Sequence, residues 1–310
     1  MILKNEITKK SIEWKVPPEV VDKDWVLGHF LSAFYSIDEH KEKLIFKGGT
    51  ALRKCYFPNY RFSEDLDFTS LTKNYNLTRK ILNKVIKKAR ENSGILFHIQ
   101  EISIQTYKDK LTGYQAKLKY WGANHSKNQE PPSVNRWMTN IKIEITFYEK
   151  LVFQPELRKI SHPYSDLLLE NSKEIYCYNL KEVIAEKIRA LVQRSYKAPR
   201  DYYDIYYLKD SFIPEDWKLI KSAFLDKMEF KELKYENVEQ LINDKSIKII
   251  KTAWENSLNH QIPEKKLPNI DIVIKELKEV LNKYLSGIIE FENQDSSLSS
   301  NFKKNIKYRR

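Results

Sequence analysis

Apolar residues recur at roughly helical spacing over residues 18–37, where Val21, Trp25, Phe30, Leu31 and Phe34 follow Pro17-Pro18, a dipeptide suited to a helix start. The pattern then shortens. Leu44-Ile45-Phe46 predicts a brief strand running into Lys47-Gly48-Gly49-Thr50, and a helix from Thr50 carries Leu52 and Tyr56. Residues 63–69, SEDLDFT, alternate with period two and predict a second strand. A basic amphipathic helix over 77–89 ends near Asn92-Ser93-Gly94, and further strands are expected at 95–106, 114–121 and 139–148. The polar stretch ANHSKNQEPPSVN separates the last two as a loop.

Residues 149–175, broken by Pro155 and Pro163, read as an irregular crossing. From Leu180 onward the period is helical, at 180–194, 199–210, 214–229, 236–257 and 269–290. The stretch ENQDSSLSSNFKKNIKYRR is polar and then basic. This order predicts an α+β chain: a mixed-sheet domain over 1–175, a mainly helical domain over 176–292 and a basic tail at 293–310.

Composition narrows the class. The chain has 310 residues, 41% of them hydrophobic and 13% aromatic, enough for a sizeable core. The sequence lacks an apolar run long enough for a transmembrane helix, and MILKNEITKK does not read as a signal peptide. Two cysteines, Cys55 and Cys177, make no disulfide scaffold, so a reduced cytoplasmic setting is expected. The net charge of +12 fits a polyanionic partner and equally fits a generally lysine-rich composition.

Within 63–69 a strand puts Ser63, Asp65, Asp67 and Thr69 on one face, and Leu66 and Phe68 on the other. Two carboxylates at i and i+2 repel unless a cation joins them, and magnesium favours one or two carboxylates plus substrate phosphates. Upstream, Gly48-Gly49-Thr50 lies where backbone N–H groups can meet a triphosphate, with Lys47, Lys54 and Arg61 nearby as neutralising charges. A third carboxylate would complete a two-metal site. Glu144, on the face of strand 141–147 opposite Ile141, Ile143 and Ile145, is the candidate if that strand neighbours 63–69.

Helix 180–194 carries an apolar stripe of Leu180, Val183, Ile184, Ile188 and Leu191 whose missing i+7 member is Lys187. A lysine there requires an anion, and Asp201 and Asp204 share one face of the next helix. Spacing leaves two roles open: an ion pair stapling the helices, or a lysine reaching a nucleotide phosphate.

KGGTALRKCY…RFSEDLDF, IKIEI and LKEVIAEKIRAL…RDYYDIYYL together resemble, in order over about residues 40–210, the motifs of the AbiEii/AbiGii toxin nucleotidyltransferases of the DNA polymerase β-like superfamily. The resemblance implies a polymerase β-like nucleotidyltransferase domain whose cleft is closed by the helical domain. It implies Asp65 and Asp67 as catalytic metal ligands for magnesium or manganese, with Glu144 as a third ligand. Gly48, Gly49, Thr50, Arg61 and Ser63 would lie near the triphosphate, and Lys187 would be a nucleotide-contacting or catalytic lysine. Asp201 and Asp204 would be the acidic positions of the last motif, the first catalytic and the second nucleotide-binding. The expected reaction is transfer of a nucleoside monophosphate from an NTP to an RNA hydroxyl, with tRNA as acceptor. The chain would then be the toxin of a type IV toxin–antitoxin or abortive-infection system, opposed by a cognate antitoxin protein and acting away from membranes. A non-catalytic RNA-binding module and a phosphotransferase on the same scaffold are the competing readings.

Weaker signals remain. Six histidines show no metal-ligand spacing, so zinc is not expected. Strand 114–121 places Gln115, Lys117, Lys119 and Trp121 on one face, which together with helix 77–89 suggests an RNA-binding surface.

Overall fold

The computed structural model describes residues 2–170, 174–263 and 266–286, so the tail expected at 293–310 lies outside the described residues. The chain opens with α1 (Lys4–Trp14), α2 (Pro18–Tyr35) and the single turn α3 (Asp38–Lys41). Strand β1 (Leu44–Lys47) leads into α4 (Gly48–Ala51), which runs on as a π-helical turn over Leu52–Tyr56, and then into β2 (Asp65–Ser70). Next come α5 (Arg79–Ser93), the long hairpin of β3 (Leu96–Tyr107) and β4 (Lys110–Trp121), and β5 (Asn140–Thr146). Two short strands follow, β6 (Glu156–Lys159) and β7 (Glu174–Cys177). The rest is helical: α6 (Leu180–Gln193), α7 (Pro199–Leu208), α8 (Pro214–Phe230), α9 (Asp244–Leu258) and α10 (Ile270–Leu285).

The seven strands form one mixed sheet in the order β3-β4-β5-β2-β1-β7-β6. β2 is antiparallel to β1 and parallel to β5, and β1 is parallel to β7. β1 is buried along its whole length, which explains its unbroken apolar run. Leu44 and Phe46 join a core with α2, α5 and the sheet, whereas Ile45 joins Leu52, Tyr60 and the helices beyond residue 178 in a second core. The first core is aromatic at its centre, with Phe34 stacked on Phe68 at 4.8 Å between centroids.

Local chemistry sets several boundaries. The Thr78 side chain accepts from Ile81 N–H to start α5, and Gly94, at φ +77°, ends it. Asn243 caps α9 through Ser246 N–H, so that helix begins at Asp244 rather than near 236. Helical structure after β1 begins at Gly48, two residues ahead of the expected Thr50. The crossing at 149–175 contains β6 and reaches into β7, which are only four residues each and carry no long alternation. α5 lies against α2 and buries Leu82, Val85 and Ala89 in the first core, on the face of the sheet opposite Lys117 and Lys119. The basic helix and the polar face of strand 114–121 therefore do not form one surface.

The helix after the glycine turn is tied to α2 by charge. Asp24 receives Arg53 Nε at 2.9 Å, Lys54 Nζ at 2.7 Å and the Tyr164 hydroxyl at 2.9 Å, and the three charged groups are buried. Burial alone would raise the Asp24 carboxyl, but Lys54 and Arg53 overcome this and hold it well below the usual carboxylate range. Removing one member of a buried cluster strands the others. Asp24→Ala is expected to lower unfolding free energy by about 3–5 kcal/mol, read as a fall in the urea midpoint with unchanged slope.

Candidate active site

Strand alternation turns Leu66 and Phe68 into the first core and leaves Asp65 and Asp67 half-buried on the opposite face, toward the helices. β5 is the neighbour that a third carboxylate required: Asp67 stands opposite Glu144 and Asp65 opposite Lys142. Lys142 Nζ reaches Glu144 at 3.3 Å, and the three carboxylates do not gather within 4.8 Å of one another. Burial, then repulsion from Glu144 and Asp65, pushes the Asp67 carboxyl up to about 6. Burial raises Asp65 as well. Two converging oxygen donors whose mutual repulsion is only partly relieved by Lys47 and Lys187 suit a hard divalent cation.

The glycine turn is shaped by this pair. Gly48 has φ +81°, and a Cβ there would stand 2.4 Å from Asp67 Oδ2. A Cβ on Gly49 would stand 2.9 Å from both Arg61 Nη2 and Ser63 Oγ. Thr50 is buried and its hydroxyl donates to the Asp65 backbone carbonyl, so it braces β2 rather than facing the cleft.

The opposite wall comes from α6 and α7. Lys187 Nζ lies 2.9 Å from Asp201 Oδ1 and 2.7 Å from Asp204 Oδ2, yet the side chain keeps 14% exposure and lines the cleft. The ion pair that staples the two helices is thus formed, and the same side chain borders the cleft. Asp204 is fully buried behind the cleft, where Arg61 Nε and Nη2 donate to its two oxygens at 2.7 and 2.8 Å and the Tyr60 hydroxyl joins them. It holds Arg61 and Lys187 from behind and does not itself line the cleft. Asp201 lines the cleft and also holds Arg194. Of the nearby cations, Lys54 is engaged by Asp24 and is not available to a phosphate. Lys47 does line the cleft, paired with Glu186 at 2.8 Å.

The cleft encloses about 310 Å³ and brings together Gly48, Gly49, Arg61, Ser63, Asp65, Asp67, Glu144, Lys187 and Asp201. Sequence reasoning missed Arg194, Tyr196 and Arg200, which also line it. A signal was present in RSYKAPR, three cations around one aromatic residue just before Asp201. Arg194 lies over the exposed Tyr196 ring at 5.7 Å, and the Arg200 charge acts on Asp65.

Histidine spacing also proved a poor guide to proximity. His29, His162 and Asp166 come together, with both Nε2 atoms 3.0–3.1 Å from the carboxylate and the Trp25 indole donating to it as well. The Asn92 amide meets His29 Nδ1, leaving Nε2 as the donor to Asp166. This hydrogen-bonded staple fastens the 149–175 crossing onto α2.

Two outcomes follow from the cleft. Gly48→Ala is expected to abolish activity and destabilise the fold by about 1–3 kcal/mol through strain at positive φ and the clash with Asp67; activity assays and denaturant titration check this. Because the folded protein holds the Asp67 proton more tightly than the unfolded chain, metal-free stability falls as pH rises between about 4 and 6. Asp67→Asn removes that loss, so with chelator at pH 7.5 the variant should be more stable by roughly 1 kcal/mol. Melts of both proteins across pH, with and without magnesium, test this, and only the wild type should gain stability from the metal.

No helix among the described residues is long and apolar enough to cross a membrane. No curated protein matches the chain in sequence. Solved structures share its fold. MenT4, a nucleotidyltransferase toxin from Mycobacterium tuberculosis, superposes with a TM-score of 0.59 at 16% identity, over 94% of this chain and 92% of that one. JHP933 from Helicobacter pylori gives 0.52 at 16% identity over 94% and 100%, and a putative nucleotidyltransferase from H. pylori gives 0.50 at 16% over 90% and 100%. The family model described as nucleotidyl transferase AbiEii toxin, type IV TA system, matches residues 29–282. That match spans well over half of the chain and contains every residue of the cleft, and so the chain belongs to the AbiEii nucleotidyltransferase toxin family of type IV toxin–antitoxin systems.

Proposed function

We propose that this protein transfers a nucleoside monophosphate from an NTP to a hydroxyl of RNA, with tRNA as acceptor, and that a separate antitoxin protein restrains it. The observation that carries this reading is the placement of Asp65 and Asp67 across a cleft from Lys187, with the glycine turn at its edge. Magnesium or manganese, when bound at Asp65 and Asp67, supplies positive charge to the triphosphate and acidifies the attacking hydroxyl. Glu144, opposite Asp67, adds negative charge to that position.

The chain's own cations do the remaining electrostatic work. In phosphoryl and nucleotidyl transfer the charge to be stabilised grows on the leaving group, and fixed cations do this without reorganising. Lys187 is fixed by Asp201 and Asp204, and Lys47 by Glu186, so both face the triphosphate already oriented. Arg194 and Arg200 line the same cleft, and the exposed ring of Tyr196 beside them offers a surface for the base. Gly48 and Gly49 let the backbone approach the phosphates where a Cβ would collide with Asp67 or Arg61.

The decisive experiment incubates the protein with total tRNA, magnesium and each NTP labelled at the α or the γ phosphorus. Label from the α position alone is expected on RNA. Asp65→Ala and Asp67→Ala should remove it, and Lys187→Ala should slow it by about 10²–10³-fold. Label from the γ position would favour the phosphotransferase reading. Absence of transfer from all four nucleotides, together with RNA binding indifferent to Asp65→Ala, would leave only a binding module.

A further inference from the structure

Among the described residues, α8 does not border the cleft, yet one of its side chains is joined to the cleft by charge. Lys227, in the last turn of α8, is wholly buried where that helix packs on α6. Its Nζ lies 2.5 Å from Glu182 Oε1 and 3.3 Å from Glu149 Oε1, and it donates to the Lys150 carbonyl at 2.6 Å. Glu149 in turn accepts from Arg189 Nη2 at 2.8 Å, and that same nitrogen stands 3.7 Å from Glu186 Oε1. Glu186 holds Lys47 at 2.8 Å, and Lys47 borders the cleft. Charge therefore alternates from α8 to β1 in the order Lys227, Glu149, Arg189, Glu186, Lys47. Glu182 closes the far end, where its second oxygen accepts from the Val152 and Phe153 N–H groups.

Stability alone does not account for this string, because apolar side chains of similar volume often serve a helix contact as well or better. What the string does is carry charge into the site. Burial would raise the Glu186 carboxyl, and Lys47, Lys227 and Arg189 together hold it below the usual range. Burial would lower the Lys47 ammonium, and Glu186, Tyr178 and Glu149 reverse this. Lys227 thus acts on the acid that holds Lys47, and Glu149 acts on Lys47 itself. The ammonium groups of Lys47 and Lys227 also lie over one ring, that of Tyr178, at 5.4 and 5.7 Å from its centroid, and Tyr178 borders the cleft. Buried charges such as these are screened far less than surface ones.

We propose that Lys227 is a positioning residue of the active site, which acts through Glu149, Arg189 and Glu186 to set how much of the Lys47 charge is left for the triphosphate; the inference rests on the nucleotidyl-transfer reading above. With Lys227 in place, Glu149 is shared between two cations, and Arg189 keeps part of its charge for Glu186. Without it, Glu149 draws Arg189 to itself and Glu186 is left to neutralise Lys47. Lys47 then offers less positive charge to a phosphate. Loss of Glu149 does the reverse: Arg189 turns to Glu186, the acid left to it, and Lys47 is released toward the cleft. Side chains that only filled space would not act in opposite directions.

The test is nucleotide affinity, measured by calorimetry with magnesium and each of the four NTPs, on the full chain and without RNA. Lys227→Met is expected to weaken the tightest-binding NTP by about fivefold, and Glu149→Gln to tighten it by a similar factor. The double variant Lys227→Met/Glu149→Gln, in which the string is again neutral, should return to within about twofold of wild type. In a Lys47→Ala background both single effects should vanish. Lys218→Met, at an exposed position of α8, removes the same charge and should change affinity by less than about twofold. Single variants that both weaken binding, that have no effect, or whose effects survive Lys47→Ala overturn the proposal. Where a urea titration shows that Lys227→Met alone does not fold, Glu149→Gln is compared with the double variant: affinity falls between them if Lys227 acts as proposed, and equal affinity overturns it. Lys47→Ala by itself separates this inference from the reading beneath it. If it binds NTP as well as wild type, the placement of the triphosphate at Lys47 fails; if it weakens binding and Lys227→Met does not, only the role given to α8 falls.

Discussion

The cleft depends on one buried carboxylate. Asp204, on α7, takes Arg61 from the loop before β2 and Lys187 from α6. It thereby joins the sheet to the helical half at the point where the two cores meet. Burial would raise its carboxyl, and Arg61 and Lys187 reverse this and hold it well below the usual range. A carboxylate and two cations buried together are stable only as a set, since each charge without its partner has lost its water for nothing. Arg61 held in this way stands against Gly49, and Lys187 held in this way faces Asp67. Two side chains that in isolation would sample many rotamers are thus fixed in the cleft wall by an acid that never reaches it.

The acids of this protein divide by their neighbours. Asp24 and Asp204 are buried and Glu186 is half-buried, but cations beside them hold all three below the usual carboxylate range. Asp67 and Asp65 are raised instead: burial acts on both, and for Asp67 the nearest strong influences after burial are the carboxylates of Glu144 and Asp65. The first set stabilises the fold as it stands. The second keeps like charges together at a cost to the metal-free protein, which is the usual mark of a functional site. The tight approach of Gly48 to Asp67 belongs with this second set, because any side chain there would push the carboxylate away.

Much of the architecture was legible where one periodicity ran long enough to dominate. α2, α6 and α7 and the strands around Asp65 and Ile143 began within two residues of expectation because buried faces there repeat for several turns or pleats. α1 buries only Ile7, so its polar residues offered no stripe to recognise. β6 and β7 owe their existence to pairing with each other and with β1, and four residues cannot display a period. The site was legible to a similar degree. Asp65, Asp67, the glycines and Lys187 stood out as local anomalies. Tyr196, Arg194 and Arg200 did not, because a cation or an aromatic ring in a loop looks like ordinary surface until the fold puts it opposite a carboxylate pair.

The sequence by itself determined what each segment had to bury and which residues were costly where they stood. A lysine in an apolar stripe needs an anion, two aspartates on one strand face need a cation, and paired glycines mark a close approach. Only the tertiary structure decided which partner meets each need, because a partner's distance along the chain says nothing about its distance in space. It set Glu144 opposite Asp67, gave Lys54 to Asp24 rather than to a phosphate, and brought His29 and His162 onto one carboxylate. It also placed Asp204 behind the cleft and Asp201 in its lining, although both are buried and share one face of one helix: the way α7 docks, and not its pattern, determines which carboxylate borders the cleft.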